Sequence, residues 1–369
     1  MAANTYDVIV VGSGSAGGVN AARLSENGKY TVLCLEAGEN GADYIWSRPA
    51  AGTAFLIDNP VVNWRYYSEP NESHGNRPIY GPRGKMLGGT SSINGTMYNR
   101  GQQIDYDTWA QMGCPGWSYD DILPFLKKIE STDVGSDEHR GRNGPVKVVE
   151  ATKITPFYDL FIQSAMSLGI PFNRDYSGAT QEGVAMAQQT VHRGLRQSTA
   201  TQYLKPARNR ANLTVLSGAE ATSLILDGKR CVGIRFRRNG MMDEAWANRG
   251  VIVACGTANS PKLLEPIRHR QFGYPGGTRH RDGARVEGRR REPVRSLRGR
   301  DEVALQSAGL VAGEAGARLA PGPRGCAFPA VPARVYLAGA GHHAGVHALA
   351  SVAGEPRPDD GGRAAHDRA

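Results

Sequence analysis

The sequence predicts an α/β fold. A Rossmann-like dinucleotide-binding domain with a parallel sheet and a β-meander is joined to an incomplete α+β domain and a disordered C-terminal tail. Three observations predict it: a glycine-rich strand–turn–helix–strand unit opens the chain, apolar strands recur between residues 213 and 254, and the composition changes abruptly after about residue 265. The predicted domains are 1–145 and 206–265 for the dinucleotide-binding domain, 146–205 for part of the second domain, and 266–369 for the tail.

The opening unit begins with a short apolar run at residues 8–11, which is typical of a buried parallel strand. The motif GxGxxG follows at Gly12, Gly14 and Gly17. The first glycine permits a tight turn, the second lets a pyrophosphate approach the backbone, and the third allows close packing of helix and strand. Residues 15–24 are predicted to form the helix whose N-terminal N–H groups face the phosphate charge.

Glu36 ends the next predicted strand, at residues 31–35. An acid about 20 residues after such glycines accepts hydrogen bonds from a ribose diol. A glycine-rich turn without a ligand is the alternative interpretation, but the strand, the helix and the acid together favour a dinucleotide.

A second glycine-rich segment spans residues 81–101 and contains Ser and Thr residues as well. Such a composition is unfavourable for a strand or helix core. The apolar residues Met86, Leu87, Ile93 and Met97 interrupt the segment and would anchor it, which argues against a mobile surface loop. We therefore predict a loop whose backbone N–H groups face a flat, phosphate-bearing ligand.

The remaining elements follow from apolar periodicity and from helix-capping residues. Ser118 is predicted to cap a helix with Asp121 in the capping-box position, and Ser260 is predicted to cap the last one. Segment 189–204 is interpreted as a strand, a basic turn and a helix capped by Ser198 or Thr199. Further helices are predicted at 103–112, 120–129, 156–168 and 259–265, and strands at 145–149, 213–216, 220–226, 231–237 and 251–254, the three between 213 and 237 forming the β-meander.

Composition narrows the class of protein. Hydrophobic residues make up 40% of the 369 residues, which is enough for a packed core, and no stretch approaches the roughly 18 apolar residues of a membrane helix. A strand begins almost at the N-terminus, so we expect no signal peptide. The five cysteines lie far apart without metal-ligand spacing, which predicts reduced thiols, no metal site and a cytoplasmic location.

The net charge of +9 raises the alternative of a nucleic-acid-binding protein. Residues 1–265 hold 27 basic and 25 acidic residues, whereas residues 266–369 hold 17 arginines and 10 acids. The basic charge thus belongs mainly to the tail, which lacks the interleaved aromatic residues and folded scaffold of such proteins. We expect no nucleic-acid partner.

Three blocks show a resemblance to a known family. They are 12–18 with Glu36, GKMLGGTSSINGTM at 84–97, and GTANSPKLL at 256–264. The chain resembles the glucose–methanol–choline (GMC) oxidoreductases, flavoproteins that oxidise alcohols, and is most similar to choline-dehydrogenase-like members. The resemblance covers residues 5–265, about seven tenths of the chain.

The resemblance implies FAD as the cofactor. Residues 12–18 would hold the pyrophosphate, Glu36 the ribose, and the backbone of Ala221 the adenine, while Met86 and residues 94–97 would line the flavin. Ile93 stands where some relatives carry a histidine that binds FAD covalently, so the FAD is expected to be non-covalent. The expected cofactor-binding residues are Gly12, Ser13, Gly14, Ser15, Ala16, Gly17, Glu36, Ala37, Met86, Gly88, Gly89, Asn94, Gly95, Thr96, Met97 and Ala221.

The resemblance also implies a reaction. In the family, a hydride passes from an alcohol carbon to flavin N5, and a histidine near the C-terminus handles the hydroxyl proton. The expected partner is a small-molecule alcohol, and the electron acceptor is left open. His342, His343 and His347 lie in the tail in surroundings that match no block of the family, so the catalytic residues are unknown and this chain is expected to lack the catalytic histidine.

The likeness ends where the third block should continue into Ser-Gly-Ile-Gly. Glu265 is followed instead by PIRHRQFGY. Suitable codons for residues 266–274, read one base later, encode Pro-Ser-Gly-Ile-Gly-Asn-Ser-Asp. Codons for residues 288–297, read in that same frame, encode Gly-Val-Gly-Glu-Asn-Leu-Cys-Asp-His, which is also similar to the family.

We therefore hypothesise a one-base frame error near Glu265. The tail would then be an out-of-frame translation, rich in Arg, Gly and Pro and disordered. The chain as written is expected to be inactive by this interpretation. A non-catalytic FAD-binding remnant, such as a pseudogene product, is the alternative function, and a basic-tail nucleic-acid binder is the third.

Overall fold

The computed structural model describes residues 4–39, 44–152, 154–228 and 230–272, together with 310–312, 335–337 and 348–350. The helices are α1 (Ser15–Leu24), α2 (Thr53–Leu56), α3 (Gln103–Gln111), α4 (Tyr119–Ile129), α5 (Phe157–Ser167), α6 (Lys205–Ala207) and α7 (Gly256–Phe272). Short 3₁₀ turns lie at Ile45–Ser47, Ala50–Gly52, Glu72–His74 and Gly89–Ser92, and a π-helical turn lies at Ala200–Leu204.

The strands are mostly short outside the central sheet. They are β1 (Thr5–Val11), β2 (Val32–Leu35), β3 (Tyr66–Tyr67), β4 (Tyr80–Gly81), β5 (Glu130–Ser131), β6 (Val146–Lys147), β7 (Val149–Glu150), β8 (Val184–Met186), β9 (Gln188–Gln189), β10 (Val191–His192), β11 (Leu195–Arg196), β12 (Leu213–Leu216), β13 (Ala219–Asp227), β14 (Arg230–Arg238), β15 (Met241–Val253), β16 (Leu310–Ala312), β17 (Val335–Leu337) and β18 (Ala348–Ala350).

The central sheet has the strand order β12-β2-β1-β15-β14-β13, with β16 beside the second half of β15. Strands β12, β2 and β1 and the second half of β15 run parallel. Strands β13, β14 and the first half of β15 form an antiparallel meander. The predicted α/β class, with its parallel sheet and meander, is confirmed.

Strands β1 and β2 are buried on both faces, as their unbroken apolar runs predict. One face of the sheet packs against the meander and α7, through residues such as Phe236 and Leu263. The other face packs against α1 and the segment around Tyr203 and Leu204. The glycine turn after β1 is therefore held between two layers of core.

Two sequence predictions about strands were wrong. Residues 213–216 are not part of the meander, because β12 pairs in parallel with β2 at the edge of the sheet. The third meander strand is instead the 13-residue β15, of which only residues 251–254 were predicted. Its first nine residues alternate between buried and exposed positions and carry polar side chains, so no apolar run marks them.

Helix α7 begins at Gly256, before the predicted start at residue 259. Ser260 is consequently not its N-cap, and its Oγ instead accepts a hydrogen bond from the backbone N–H of Cys255 at 3.0 Å. The capping box of α4 is confirmed, because Ser118 Oγ accepts from the N–H of Asp121 and the Asp121 carboxylate accepts from the N–H of Ser118.

Beyond the sheet, a buried ion cluster joins the segments around residues 100, 130, 140 and 175. Glu130 Oε1 lies 2.9 Å from Arg140 Nε and 2.6 Å from Arg100 Nη2, and Asp175 pairs with the other side of Arg140. Burial alone would raise the pKa of Glu130, but its hydrogen bonds to Arg140 and the charges of both arginines lower it overall.

The predicted disordered tail, residues 266–369, lies mostly outside the described residues. Within it the structure describes the end of α7 and the short strands β16, β17 and β18. In the described part of the chain, no helix combines the length and apolar character needed to span a membrane. The domain limits at residues 145 and 205 stay a prediction.

Candidate functional site

A cavity of about 420 Å³ opens at the carboxyl ends of β1, β2 and β15. Ligands of open α/β sheets bind at this edge, where the chain leaves the strands. The lining residues are Val11, Gly12, Gly14, Ser15, Ala16, Leu35, Glu36, Ala37, Trp64, Tyr66, Arg83, Gly84, Gly89, Thr90, 219–222 and 254–263.

The three glycines of the first motif have different structural roles. Gly12 has φ +92°, and a Cβ there would lie 2.4 Å from the carbonyl oxygen of Ala254. A Cβ on Gly17 would lie 1.7 Å from the carbonyl oxygen of Gly12. A Cβ on Gly14 would meet nothing closer than 3.8 Å, at Gly89. The fold itself thus requires glycine at 12 and 17, whereas Gly14 leaves space that faces the cavity.

Helix α1 starts directly after Gly14 and has no acidic residue in its first turn. Its first backbone N–H groups therefore meet the cavity with the positive end of the helix dipole uncompensated. Such an end favours an anionic group such as a phosphate.

Glu36 is buried behind the glycine turn with 5% of its surface exposed. Its Oε2 accepts hydrogen bonds from the N–H of Ser13 at 3.0 Å and from Ser13 Oγ at 2.6 Å, and its Oε1 accepts from the N–H of Gly38 at 3.0 Å. Burial raises the pKa of Glu36, and these hydrogen bonds oppose that rise. A carboxylate offers about four acceptor positions, so capacity is left for a hydroxyl in the cavity.

The second glycine-rich segment packs directly on the first. A Cβ on Gly89 would lie 2.8 Å from the Cα of Gly14, and the N–H of Gly88 donates to the carbonyl oxygen of Ser13 at 3.2 Å. Only the absence of side chains allows the two backbones to approach this closely. Two motifs separated by about 75 residues in sequence therefore form one surface.

The opposite wall comes from residues that the sequence did not single out. Tyr66 Oη donates a hydrogen bond to Asn259 Oδ1 at 2.8 Å, which joins strand β3 to the start of α7. The ring of Trp64 stacks on Tyr66 with 5.9 Å between centroids. Because burial is the main influence, the pKa of the Tyr66 hydroxyl is raised and the group stays neutral.

The expected cofactor residues divide into three groups. Those that line the cavity are Gly12, Gly14, Ser15, Ala16, Glu36, Ala37, Gly89 and Ala221. Ser13, Gly17 and Gly88 lie behind it and shape the turn. The others lie outside this cavity: the Met86 side chain is fully buried with Leu56, Val62 and Ile93, Thr96 is buried, and Asn94, Gly95 and Met97 are exposed.

Arg196 and Thr199, which sequence reasoning placed only in a basic turn, connect to both glycine-rich segments. Thr199 Oγ1 lies 3.0 Å from Ser91 Oγ and donates to the carbonyl oxygen of Gly14 at 3.3 Å. Arg196 Nη1 donates to Asn94 Oδ1 at 2.7 Å. No motif could have revealed these contacts, because the partners lie about 100 or more residues away.

Comparison with known proteins places these features in a family context. A sequence profile of GMC oxidoreductases matches residues 6–266. "Oxygen-dependent choline dehydrogenase" of Brucella suis biovar 1 is 41% identical over 258 residues, covering 70% of this chain and 47% of the relative. The protein of that name from Rhizobium johnstonii is also 41% identical with the same coverage. The chain spans about half the length of the curated relatives it matches.

Solved structures show the same arrangement. Pyridoxine 4-oxidase from Mesorbium loti superposes with a TM-score of 0.66 at 30% identity, covering 70% of this chain and 51% of that chain. Formate oxidase from Aspergillus oryzae, in a structure whose description concerns FAD modification, superposes with a TM-score of 0.65 at 27% identity, covering 71% of this chain and 47% of that chain.

Proposed function

The chain belongs to the GMC oxidoreductase family, and on that premise we propose that it is the cofactor-binding part of an FAD-dependent oxidoreductase acting on the CH–OH group of an alcohol. One observation carries this proposal: both glycine-rich segments and Glu36 meet around a single cavity at the carboxyl edge of the sheet. The identity to choline dehydrogenases supports a small alcohol such as choline as the substrate.

The residues present fit FAD. Space beside Gly14 and the uncompensated N-terminus of α1 suit the pyrophosphate, and the remaining acceptor capacity of Glu36 suits the ribose hydroxyls. The backbone at Ala221, on the opposite wall, is available to the adenine. Asn94, Gly95 and Met97 are exposed beyond the cavity, where the flavin would extend. Ile93 offers no nucleophile for covalent attachment, so the FAD is held non-covalently and leaves when the protein unfolds.

FAD, when bound, supplies the acceptor for the two electrons of alcohol oxidation. The protein's own contribution is to bind and orient this group, and a proton acceptor is also needed for the alcohol hydroxyl. Among the described histidines, His74 and His192 are exposed, His139 is partly buried, and none lines the cavity. We propose that this chain lacks the proton acceptor and binds FAD without oxidising alcohols.

Purification of the full chain separates the possibilities. A yellow protein that releases FAD on denaturation and keeps its colour when an alcohol such as choline is added anaerobically supports a cofactor-binding protein without turnover. Bleaching by the alcohol would show that a proton acceptor is present after all. A colourless chain that does not take up added FAD would contradict the proposed cofactor.

A further inference from the structure

Arg196 is a buried arginine whose hydrogen-bond partners are all neutral. The residue is 2% exposed, and its guanidinium donates to the carbonyl oxygen of Ser47 at 3.2 Å and to Thr53 Oγ1 at 2.7 Å. It also donates to both the carbonyl oxygen and Oδ1 of Asn94. Within the described ranges no carboxylate pairs with it, and burial is the sole influence on its pKa, which falls to about 10. The side chain therefore keeps its charge at neutral pH.

Arg140 shows how this protein treats a structural arginine. Its side chain is equally buried but is paired with the carboxylates of Glu130 and Asp175. Burying a charge without such a partner is costly, because the interior replaces water poorly. The unneutralised charge of Arg196 is thus an exception within the same molecule.

The location of that charge suggests its use. Arg196 holds both polar groups of Asn94, and Thr199, one helical turn later, contacts Ser91 and Gly14. A single short segment thereby aligns the flavin-facing loop with the phosphate-facing turn. The charge lies behind the residue that, under the proposed function, faces the flavin.

We propose that Arg196 is a positioning residue for the flavin: it holds the Asn94 loop in place, and its unneutralised charge makes the site favour reduced over oxidised FAD. This inference rests on the proposed function. Two-electron reduction with uptake of one proton adds a negative charge to the flavin at neutral pH. A fixed positive charge nearby in a low-dielectric setting stabilises that form preferentially.

The test compares the full chain with its Arg196→Met and Arg196→Lys variants. FAD affinity is measured by titration, and the midpoint potential of the bound FAD by equilibration with a redox dye. Arg196→Met should bind FAD more weakly, and its preference for reduced FAD should fall about tenfold, which corresponds to a midpoint about 30 mV lower. Arg196→Lys, which keeps the charge but loses the planar fork, should bind more weakly with a nearly unchanged midpoint.

Two further variants serve as controls. Arg140→Met removes an equally buried arginine away from the cavity, so it should lower the resistance to urea without changing the midpoint. Asn94→Asp preserves shape and lets a carboxylate neutralise Arg196, so it should lower the midpoint even if Arg196→Met fails to fold. A wild-type midpoint in Arg196→Met or, where that variant does not fold, in Asn94→Asp would overturn the inference alone. Failure of the wild-type chain to bind FAD would overturn the proposed function and the inference together.

Discussion

Alanine substitutions at Gly17 and Gly14 should separate stability from cofactor binding within one motif. In a helix, alanine is favoured over glycine by about 1 kcal/mol, so position 17 would gain from propensity alone. The added Cβ would lie 1.7 Å from the Gly12 carbonyl oxygen, however, and the turn would have to open. Overpacking of this kind costs about 1–3 kcal/mol for side chains and more against backbone. We expect Gly17→Ala to lose about 2 kcal/mol net, a fall in thermal midpoint of about 4–8 °C.

Gly14→Ala should behave in the opposite way. The new methyl would be 3.8 Å from its nearest neighbour, and alanine at an N-cap costs about 1 kcal/mol or less relative to glycine. The methyl enters the space proposed for the pyrophosphate, so FAD affinity should fall at least about tenfold, equivalent to about 1.4 kcal/mol.

The assay is thermal unfolding of the flavin-free chain, combined with FAD titration followed by flavin fluorescence. Gly81→Ala is a matched control, because a Cβ there meets only the carbonyl oxygen of Tyr66 at 3.8 Å and Gly81 does not line the cavity. It should change neither quantity. Wild-type stability in Gly17→Ala, or wild-type FAD affinity in Gly14→Ala, would refute the roles assigned to these glycines.

Three more predictions follow from the buried acids and from the end of the family resemblance. Burial raises the pKa of Glu36 above its ordinary value of 4.5, so the folded state binds this proton more tightly than the unfolded chain does. The stability of the wild type relative to Glu36→Gln should therefore fall as pH rises above about 4.5 in urea unfolding, and a rising difference would contradict the assignment. Glu130→Gln leaves Arg140 and Arg100 without their main partner and should cost about 3–5 kcal/mol. Since the folded-state pKa of Glu130 is lowered, its stabilisation is present above pH 4.5 and is lost on acidification, a dependence that the Gln variant should lack. Finally, the nucleotide sequence near codon 265 should show the family motif in the next reading frame, and a gene without it would eliminate the frame-error hypothesis.

Local signals explain most of what the sequence could predict. Strand β1, helix α1 and strand β2 were placed within a few residues because their apolar runs are buried on both faces and the glycines between them have local steric roles. The capping box at Ser118 was equally visible, since it needs only side chains three residues apart.

Long-range pairing explains what the sequence could not predict. Strand β12 looked like a meander strand because nothing in residues 213–216 indicates parallel pairing with β2, about 180 residues away. The first part of β15 was missed because one of its sides is exposed and polar. Arg196 was missed for a similar reason, because its importance comes only from contacts with Ser47, Thr53 and Asn94.

Titration of the flavin-free full chain with FAD tests most directly whether the two glycine-rich segments and Glu36 form a flavin site. We expect saturable binding of one FAD per chain, unaffected by excess NAD⁺ and fully released by denaturant. Absence of saturable FAD binding by a folded chain, or displacement of FAD by NAD⁺ at similar concentration, would contradict this central claim.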